Sequence, residues 1–285
     1  MEIQKVGVAG CGLMGGGIVQ VCAQSGYEVV VLEAAEAFLD KGMTAIRNSL
    51  TGSVARGKLL QAEMDATLAR VRGTTSVTDL AGSDIVIEAV VEDLQAKRKL
   101  FSELDSCCAE HTLFCSNTSS IPIIEIAAAT KRPDRFVGLH FFNPVPVMKL
   151  VEVIRTLRSS DEAVRAATAF AESLGKKTIQ AKDRAGFVVN LLLVPYLLDA
   201  VRAVEAGVAS PEDIDAGMVL GCGYPMGPLQ LIDLVGIDTS YLISRVLYDE
   251  FKDPKYAAPP LLKQMVAAGL HGRKTGRGFY DYAGR

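Results

Sequence analysis

The chain has no run of like charge. Its 30 Lys and Arg and 33 Asp and Glu leave a formal net charge of -3, with both signs scattered, so it lacks the cationic stripe that gripping a phosphate backbone requires, which argues against nucleic acid as a partner. Nor is there a long apolar run. The densest stretch, residues 191–198, falls far short of the roughly 18 residues that a membrane-spanning helix needs, so no membrane partner is expected. The opening Met1-Glu2-Ile3-Gln4-Lys5 lacks the basic, apolar and small-residue succession of a secretory signal, and the expected location is cytoplasmic. Six cysteines (Cys11, Cys22, Cys107, Cys108, Cys115 and Cys222) form no CxxC pair and no metal-type spacing with the three histidines. Reduced thiols and no metal site follow. Internal repeats and low-complexity tracts are also missing.

What is present is a long chain with a large apolar fraction. At 285 residues and 49% hydrophobic content it is long enough for one large core or two smaller ones, since single cores stop growing near ~250–300 residues, and two domains are expected. The apolar run Lys5-Val6-Gly7-Val8-Ala9 meets a glycine cluster; a helix over residues 16–24 and a strand over 27–32 follow. Together they make a βαβ unit of about 30 residues, which implies a parallel sheet. Helical pattern then covers 36–58 and 64–71, strand pattern 85–90, helix 93–110 and strand 113–115. A helix opened by Ser119, Ser120 and Pro122, strands over 136–141 and 150–154, a helix capped by Ser160 and stopped by Gly175, and a last short strand at 178–180 complete the alternation. This is the pattern of a doubly wound α/β domain. From Gly186 on there is no strand signal: helices are expected over 187–206, bent at Pro195, then from Ser210-Pro211, and over 228–235, 239–251 and 261–268. The boundary falls near Lys182-Asp183-Arg184, dividing an α/β domain of residues 1–183 from an all-α domain of 184–285.

The glycine cluster reads Gly10-Cys11-Gly12-Leu13-Met14-Gly15. GxGxxG alone is weak evidence, but here it follows a strand and opens a helix, the context its mechanism needs. Gly10 permits the tight turn, Gly12 lets the backbone approach a pyrophosphate, and Gly15 allows the helix to pack on the strand. The amides around Leu13 and Met14, with the helix dipole, are then placed to bind phosphates. Glu33 ends the second strand, about 20 residues on, where an acid accepts hydrogen bonds from the adenosine ribose and repels a 2′-phosphate. The class is therefore α/β with an N-terminal Rossmann-type sheet and an all-α C-terminal domain, and the cofactor is NAD rather than NADP.

His140 ends an apolar strand and precedes Phe141-Phe142-Asn143-Pro144, on the carboxyl edge where open sheets bind ligands. Oxidising a secondary alcohol needs a base for the hydroxyl proton, and histidine titrates near neutrality; a strand-end histidine by itself is also compatible with a structural role. Glu152, 12 residues later between Val151 and Val153, needs a partner among such neighbours, and His140 is the candidate. Ser119 can be read as a helix cap or as a site residue. Asn190, inside an apolar helix, must be satisfied by a substrate oxygen or by neighbouring backbone.

Six motifs spread over the whole chain resemble the 3-hydroxyacyl-CoA dehydrogenases, most of all the short single-function 3-hydroxybutyryl-CoA dehydrogenases. They are Ala9-Gly10-Cys11-Gly12-Leu13-Met14-Gly15, Ser116-Asn117-Thr118-Ser119-Ser120, the segment from Gly138 to Met148 containing His140, Gly186-Phe187-Val188-Val189-Asn190, Gly223-Tyr224-Pro225-Met226-Gly227-Pro228, and Lys274-Thr275-Gly276-Arg277-Gly278-Phe279-Tyr280. The resemblance implies an acyl-CoA substrate bound with NAD, and a homodimer formed through the helical domain. It implies His140 as catalytic base, Glu152 as its partner, and Ser119 and Asn190 as hydrogen-bond donors to the reacting oxygen. Cofactor contacts carried over with it are Glu92, Lys97, Ser119, Asn143 and Lys274, beside Gly10, Gly12, Leu13, Met14, Gly15 and Glu33. Two departures stand out: Glu33 where the family more often has Asp, and Arg56 where it has Lys in the CoA-facing helix that also carries Ser49. Two alternatives remain at this level: a β-hydroxyacid dehydrogenase acting on a free acid, which uses a lysine and is disfavoured by the His140 segment, and a non-catalytic NAD-binding protein on the same fold.

Overall fold

A computed structural model describes residues 2–283. The chain divides into two compact units, one ending at Arg184 and the other beginning at Ala185.

The first unit is an eight-stranded sheet flanked by helices. Its elements run β1 (Lys5–Ala9), α1 (Leu13–Gln24), β2 (Glu28–Leu32), α2 (Glu36–Ala55), α3 (Gln61–Ala69), β3 (Val71–Thr74), β4 (Ile85–Glu88), α4 (Leu94–Cys107), β5 (Leu113–Ser116), α5 (Ile123–Ala127), β6 (Phe136–Phe141), β7 (Leu150–Arg155), α6 (Asp161–Ser173) and β8 (Lys177–Lys182). The strand order is β3-β2-β1-β4-β5-β6-β7-β8. All neighbours pair parallel except β6 and β7, which are antiparallel. The central strands read as continuous apolar runs, Ile85-Val86-Ile87 and Leu113-Phe114-Cys115, because helices cover both faces of a parallel sheet and leave them buried on both sides. Ser160 caps α6 by accepting from the Ala163 amide at 3.1 Å, as its position before an acidic first turn predicts.

Three local expectations are corrected. The first helix begins at Leu13, not residue 16, because Gly12 itself is the N-cap. The strand β3 escapes a reading by hydrophobicity: Val71-Arg72-Gly73-Thr74 is a short, half-exposed edge strand, and the helical pattern expected over 64–71 ends at Ala69. Ser119 does not cap a helix. The N-cap of α5 is Pro122, which has no side-chain donor or acceptor, and the helix start is held by Asp183, whose carboxylate accepts from Ile123 and Ile124 amides, both at 2.7 Å.

The second unit is helical: α7 (Val189–Glu205), α8 (Pro211–Ala216) continuing as a π-helical stretch Gly217–Gly221, α9 (Pro228–Val235), α10 (Ile237–Phe251) and α11 (Pro260–Ala267). No strand lies among its described residues. α7 starts two residues later than expected because Phe187 is in the left-handed region, φ 49°. Val194, Leu197, Leu198 and Val201 on one side of α7 pack with Leu229, Ile232, Leu247 and Leu262 into a core of its own. Pro195 stands inside α7 and has no N–H for the carbonyl of Leu191 four residues back. The Tyr256 hydroxyl donates to that carbonyl at 3.3 Å, and the helix continues through the proline.

Candidate active site

The strand order reverses between β1 and β4, and it is outside the carboxyl ends of strands at such a switch point that open α/β sheets bind ligands. The glycine turn sits there. Gly10, at φ 100°, follows β1 directly; a β-carbon on it would lie 2.5 Å from the Ala89 carbonyl oxygen beyond β4, so only glycine fits. At Gly15 a β-carbon would lie 1.9 Å from the Gly10 carbonyl oxygen, which is how α1 packs onto its own turn. No side chain caps α1 and no acid stands in its first turn, so its N-terminal amides and positive dipole end face the crevice.

A cavity of about 1140 Å³ opens at this turn, lined by Gly10, Gly12, Glu33, Ser49, Arg56 and Asn143 among others. It is slightly above the ~300–1,000 Å³ of ordinary small-molecule sites. Glu33 follows β2 and its carboxylate accepts from the Cys11 amide at 2.7 Å and the Ala34 amide at 3.0 Å. The side chain is thereby held beside the turn, and each oxygen keeps a lone pair for a ribose hydroxyl. Cys11 is a packing residue: burial, then the Glu33 charge, push its thiol up to about 11. Ser49 and Arg56 are exposed on and just after α2, on the same cavity.

Beyond β4 and β5 the charged residues form one network. Lys97 is sealed in the protein, with Nζ 2.6 Å from Glu88 and 3.1 Å from Glu92. Glu92 Oε1 accepts from the Thr118 hydroxyl at 2.5 Å, the Ser119 amide at 3.2 Å and the Ser120 hydroxyl at 3.0 Å. The loop bearing Ser119 is thus tied to Glu92, and Asn117 beside it accepts from the Phe141 amide at 2.9 Å, joining it to the end of β6.

His140 and Glu152 face each other across the antiparallel β6–β7 pair, and His140 Nδ1 lies 2.6 Å from Glu152 Oε2. Both are buried. The register alone brings them together, since directly opposed residues on one face of an antiparallel pair sit within reach. Asn143 follows in the β6–β7 connection. Lys176, buried just before β8, donates to the carbonyls of Val145 at 2.5 Å and Met148 at 2.8 Å and pins that connection; burial lowers its ammonium below the usual lysine range.

Asn190 and Lys274 belong to the second unit. Asn190 is half-buried in the first turn of α7, and Lys274 Nζ pairs with the Asp238 carboxylate at 2.6 Å. Among the described residues no cluster of three or more His, Cys, Asp or Glu side chains could hold a metal ion, and no helix is long and apolar enough to cross a membrane.

The sequence reading missed Glu88, Asn117, Lys176 and Asp183. Glu88 had a signal: it closes Ile85-Val86-Ile87, and an acid in a buried strand needs a partner. Lys176 and Asp183 had none, because each serves a segment at least 28 residues away.

A glycine turn with an acid beside it at the β1–β4 switch point, together with a buried histidine–carboxylate pair on β6 and β7, is the arrangement of a dinucleotide-dependent dehydrogenase. The family model of the 3-hydroxyacyl-CoA dehydrogenase NAD binding domain matches residues 5–184, and that of the 3-hydroxyacyl-CoA dehydrogenase C-terminal domain matches residues 186–282. The chain belongs to this family and is an NAD-dependent oxidoreductase. It is 52% identical to a 3-hydroxybutyryl-CoA dehydrogenase of Mycobacterium tuberculosis over 282 residues, covering 98% of this chain and 99% of that protein. It is 46% identical to the mitochondrial hydroxyacyl-coenzyme A dehydrogenase of Homo sapiens over 288 residues, covering 98% and 91%. The crystal structure of (S)-3-hydroxybutyryl-CoA dehydrogenase from Ralstonia eutropha superposes with a TM-score of 0.94 at 48% identity, over 99% of each chain.

Proposed function

We propose that this protein reversibly oxidises a short-chain (S)-3-hydroxyacyl-CoA, with 3-hydroxybutyryl-CoA as the type substrate, to the 3-ketoacyl-CoA. The observation that carries the chemistry is the 2.6 Å contact between His140 Nδ1 and Glu152. Bound NAD supplies the hydride acceptor in one direction and the donor in the other. His140 takes the proton of the substrate's 3-hydroxyl at Nε2 and gives it back in reduction. Glu152 holds Nδ1, which fixes the ring tautomer and stabilises the imidazolium formed on proton uptake.

Ser119 and Asn190 hydrogen-bond the reacting oxygen in this reading. Gly10, Gly12, Leu13, Met14 and Gly15 hold the pyrophosphate and Glu33 the adenosine ribose, with Glu92, Lys97, Asn143 and Lys274 as further cofactor contacts. Ser49 and Arg56 take the CoA moiety; their support is that both line the cavity shared with the glycine turn. Residues 1–183 then form the NAD-binding domain and 184–285 the substrate and dimerisation domain. Homodimerisation through the second unit is supported by its exposed large hydrophobic side chains, among them Leu192, Leu220, Leu242 and Val246. A cytoplasmic location is part of the same proposal, supported by six free cysteines.

The test is His140→Gln assayed with acetoacetyl-CoA and NADH. Turnover should fall by roughly 10²–10⁴, the usual worth of general acid-base catalysis, with NADH affinity unchanged. Near-normal turnover sinks the assignment, and preference for a free keto acid over acetoacetyl-CoA sinks the substrate class.

A further inference from the structure

Glu88 is fully buried at the end of a strand whose other members are Ile85, Val86 and Ile87. A carboxylate in such a place is costly unless its charge and lone pairs are satisfied, and a hydrocarbon of the same volume would fill the space without that cost. The carboxylate does what a hydrocarbon cannot, linking three segments. Oε1 accepts from the Val90 amide at 2.8 Å, just beyond β4, and from Lys97 Nζ at 2.6 Å, in the first turns of α4. Oε2 accepts from the Ser116 hydroxyl at 2.6 Å, at the end of β5.

Two routes lead from there to Ser119. Ser116 Oγ accepts in turn from the Thr118 amide at 3.2 Å. Lys97 spends its buried charge on bridging Glu88 to Glu92, and Glu92 gathers the Thr118 hydroxyl, the Ser119 amide and the Ser120 hydroxyl. Without the ammonium the two carboxylates would repel each other. Charge-assisted bonds of this length are directional; Glu88, Lys97 and Ser116 form the buried, rigid part of the network, and Glu92, 41% exposed at its side chain, carries it out to the Ser119 loop.

We infer that Glu88 is a positioning residue for the reaction: through Ser116, Lys97 and Glu92 it sets the place of Ser119. The inference rests on the role proposed for Ser119 at the reacting oxygen. A displacement of about 1 Å at a reacting centre costs roughly 10²-fold in rate, so Glu88→Gln, which loses the charge that orients Lys97, should cut kcat by about that factor per NADH-binding site.

A double-mutant cycle with Ser119→Ala, normalised to NADH-binding stoichiometry, separates positioning from general damage, because effects that travel through one residue do not multiply. The expected result is a slow Ser119→Ala, a slow Glu88→Gln, and a double variant no more than about threefold slower than Ser119→Ala alone. Multiplying losses, or wild-type kcat in Glu88→Gln beside a slow Ser119→Ala, overturn this inference and leave the Ser119 reading standing. Wild-type kcat in Ser119→Ala overturns both. Should Glu88→Gln fail to fold, Ser116→Ala takes its place in the same cycle, since it removes one arm of the network and leaves the buried charges paired.

Discussion

Gly42, in the middle of α2, lies so close to Cys11 that a β-carbon on it would sit 2.4 Å from both the carbonyl oxygen and the Sγ of Cys11. The glycine turn is therefore gripped from above by a helix that the GxGxxG motif does not include. Gly42→Ala should push α2 off the turn, at about 1–3 kcal/mol for the overpacking, and weaken NADH binding at least tenfold, because the amides proposed to hold the pyrophosphate move with the turn. Fluorescence titration with NADH and a thermal melt check both; wild-type affinity in that variant would show that the turn does not depend on α2.

Lys176 holds the β6–β7 connection through two carbonyls, those of Val145 and Met148. Lys176→Met leaves the carbonyls of Val145 and Met148 without that donor, a cost of about 1–3 kcal/mol. Hydrogen exchange over residues 143–148 should speed up, and KM for NADH should rise if Asn143 contacts the cofactor. Unchanged exchange in that segment would remove Lys176 as its anchor.

Tyr256 compensates for Pro195. Removing its hydroxyl in Tyr256→Phe orphans the Leu191 carbonyl inside α7, and chemical denaturation should report a loss of about 1–3 kcal/mol. The double variant Tyr256→Phe, Pro195→Ala restores an amide donor to that carbonyl, so it should recover most of the loss. Additive losses would place the cost of Tyr256→Phe elsewhere.

Glu92 and Glu88 respond to acid with opposite signs. Burial alone would raise Glu92, but Lys97 and the hydroxyls of Thr118 and Ser120 outweigh it and hold its carboxyl below the ordinary value of 4.5. It binds fewer protons folded than unfolded, so the stability it contributes is present above that value and is lost as pH falls through its lowered one. In Glu88 burial outweighs Lys97, Ser116 and the Val90 amide, the carboxyl is raised, and its contribution grows as pH falls. Melting curves across the acid range should show wild type and Glu92→Gln converging below pH 4.5. A constant gap through that range would contradict the sign.

The sequence by itself determined the features carried by a few consecutive residues. The strand–turn–helix around Gly10, Gly12 and Gly15 follows from sterics within one turn, and Glu33 follows from strand length. The Ser160 cap and the change from period-2 strands to helices after Gly186 are equally local. Ser119 misled as a cap for the same reason: its spacing was suitable, and the donor to be satisfied was instead taken by Asp183 from across the domain.

Tertiary structure decided whatever depends on strand order, direction and register. Glu152 stands out as an acid among valines, yet its pairing with His140 exists only because β7 runs antiparallel to β6 and aligns them in register. Glu88, Lys97, Glu92 and the Ser119 loop meet because β4 and β5 are neighbours in the sheet, 28 residues apart at Glu88 and Ser116. Hydrophobic periodicity records which face of an element is buried, not which element covers it. The partners of a buried charge are chosen by packing, and that choice is made only when the sheet closes.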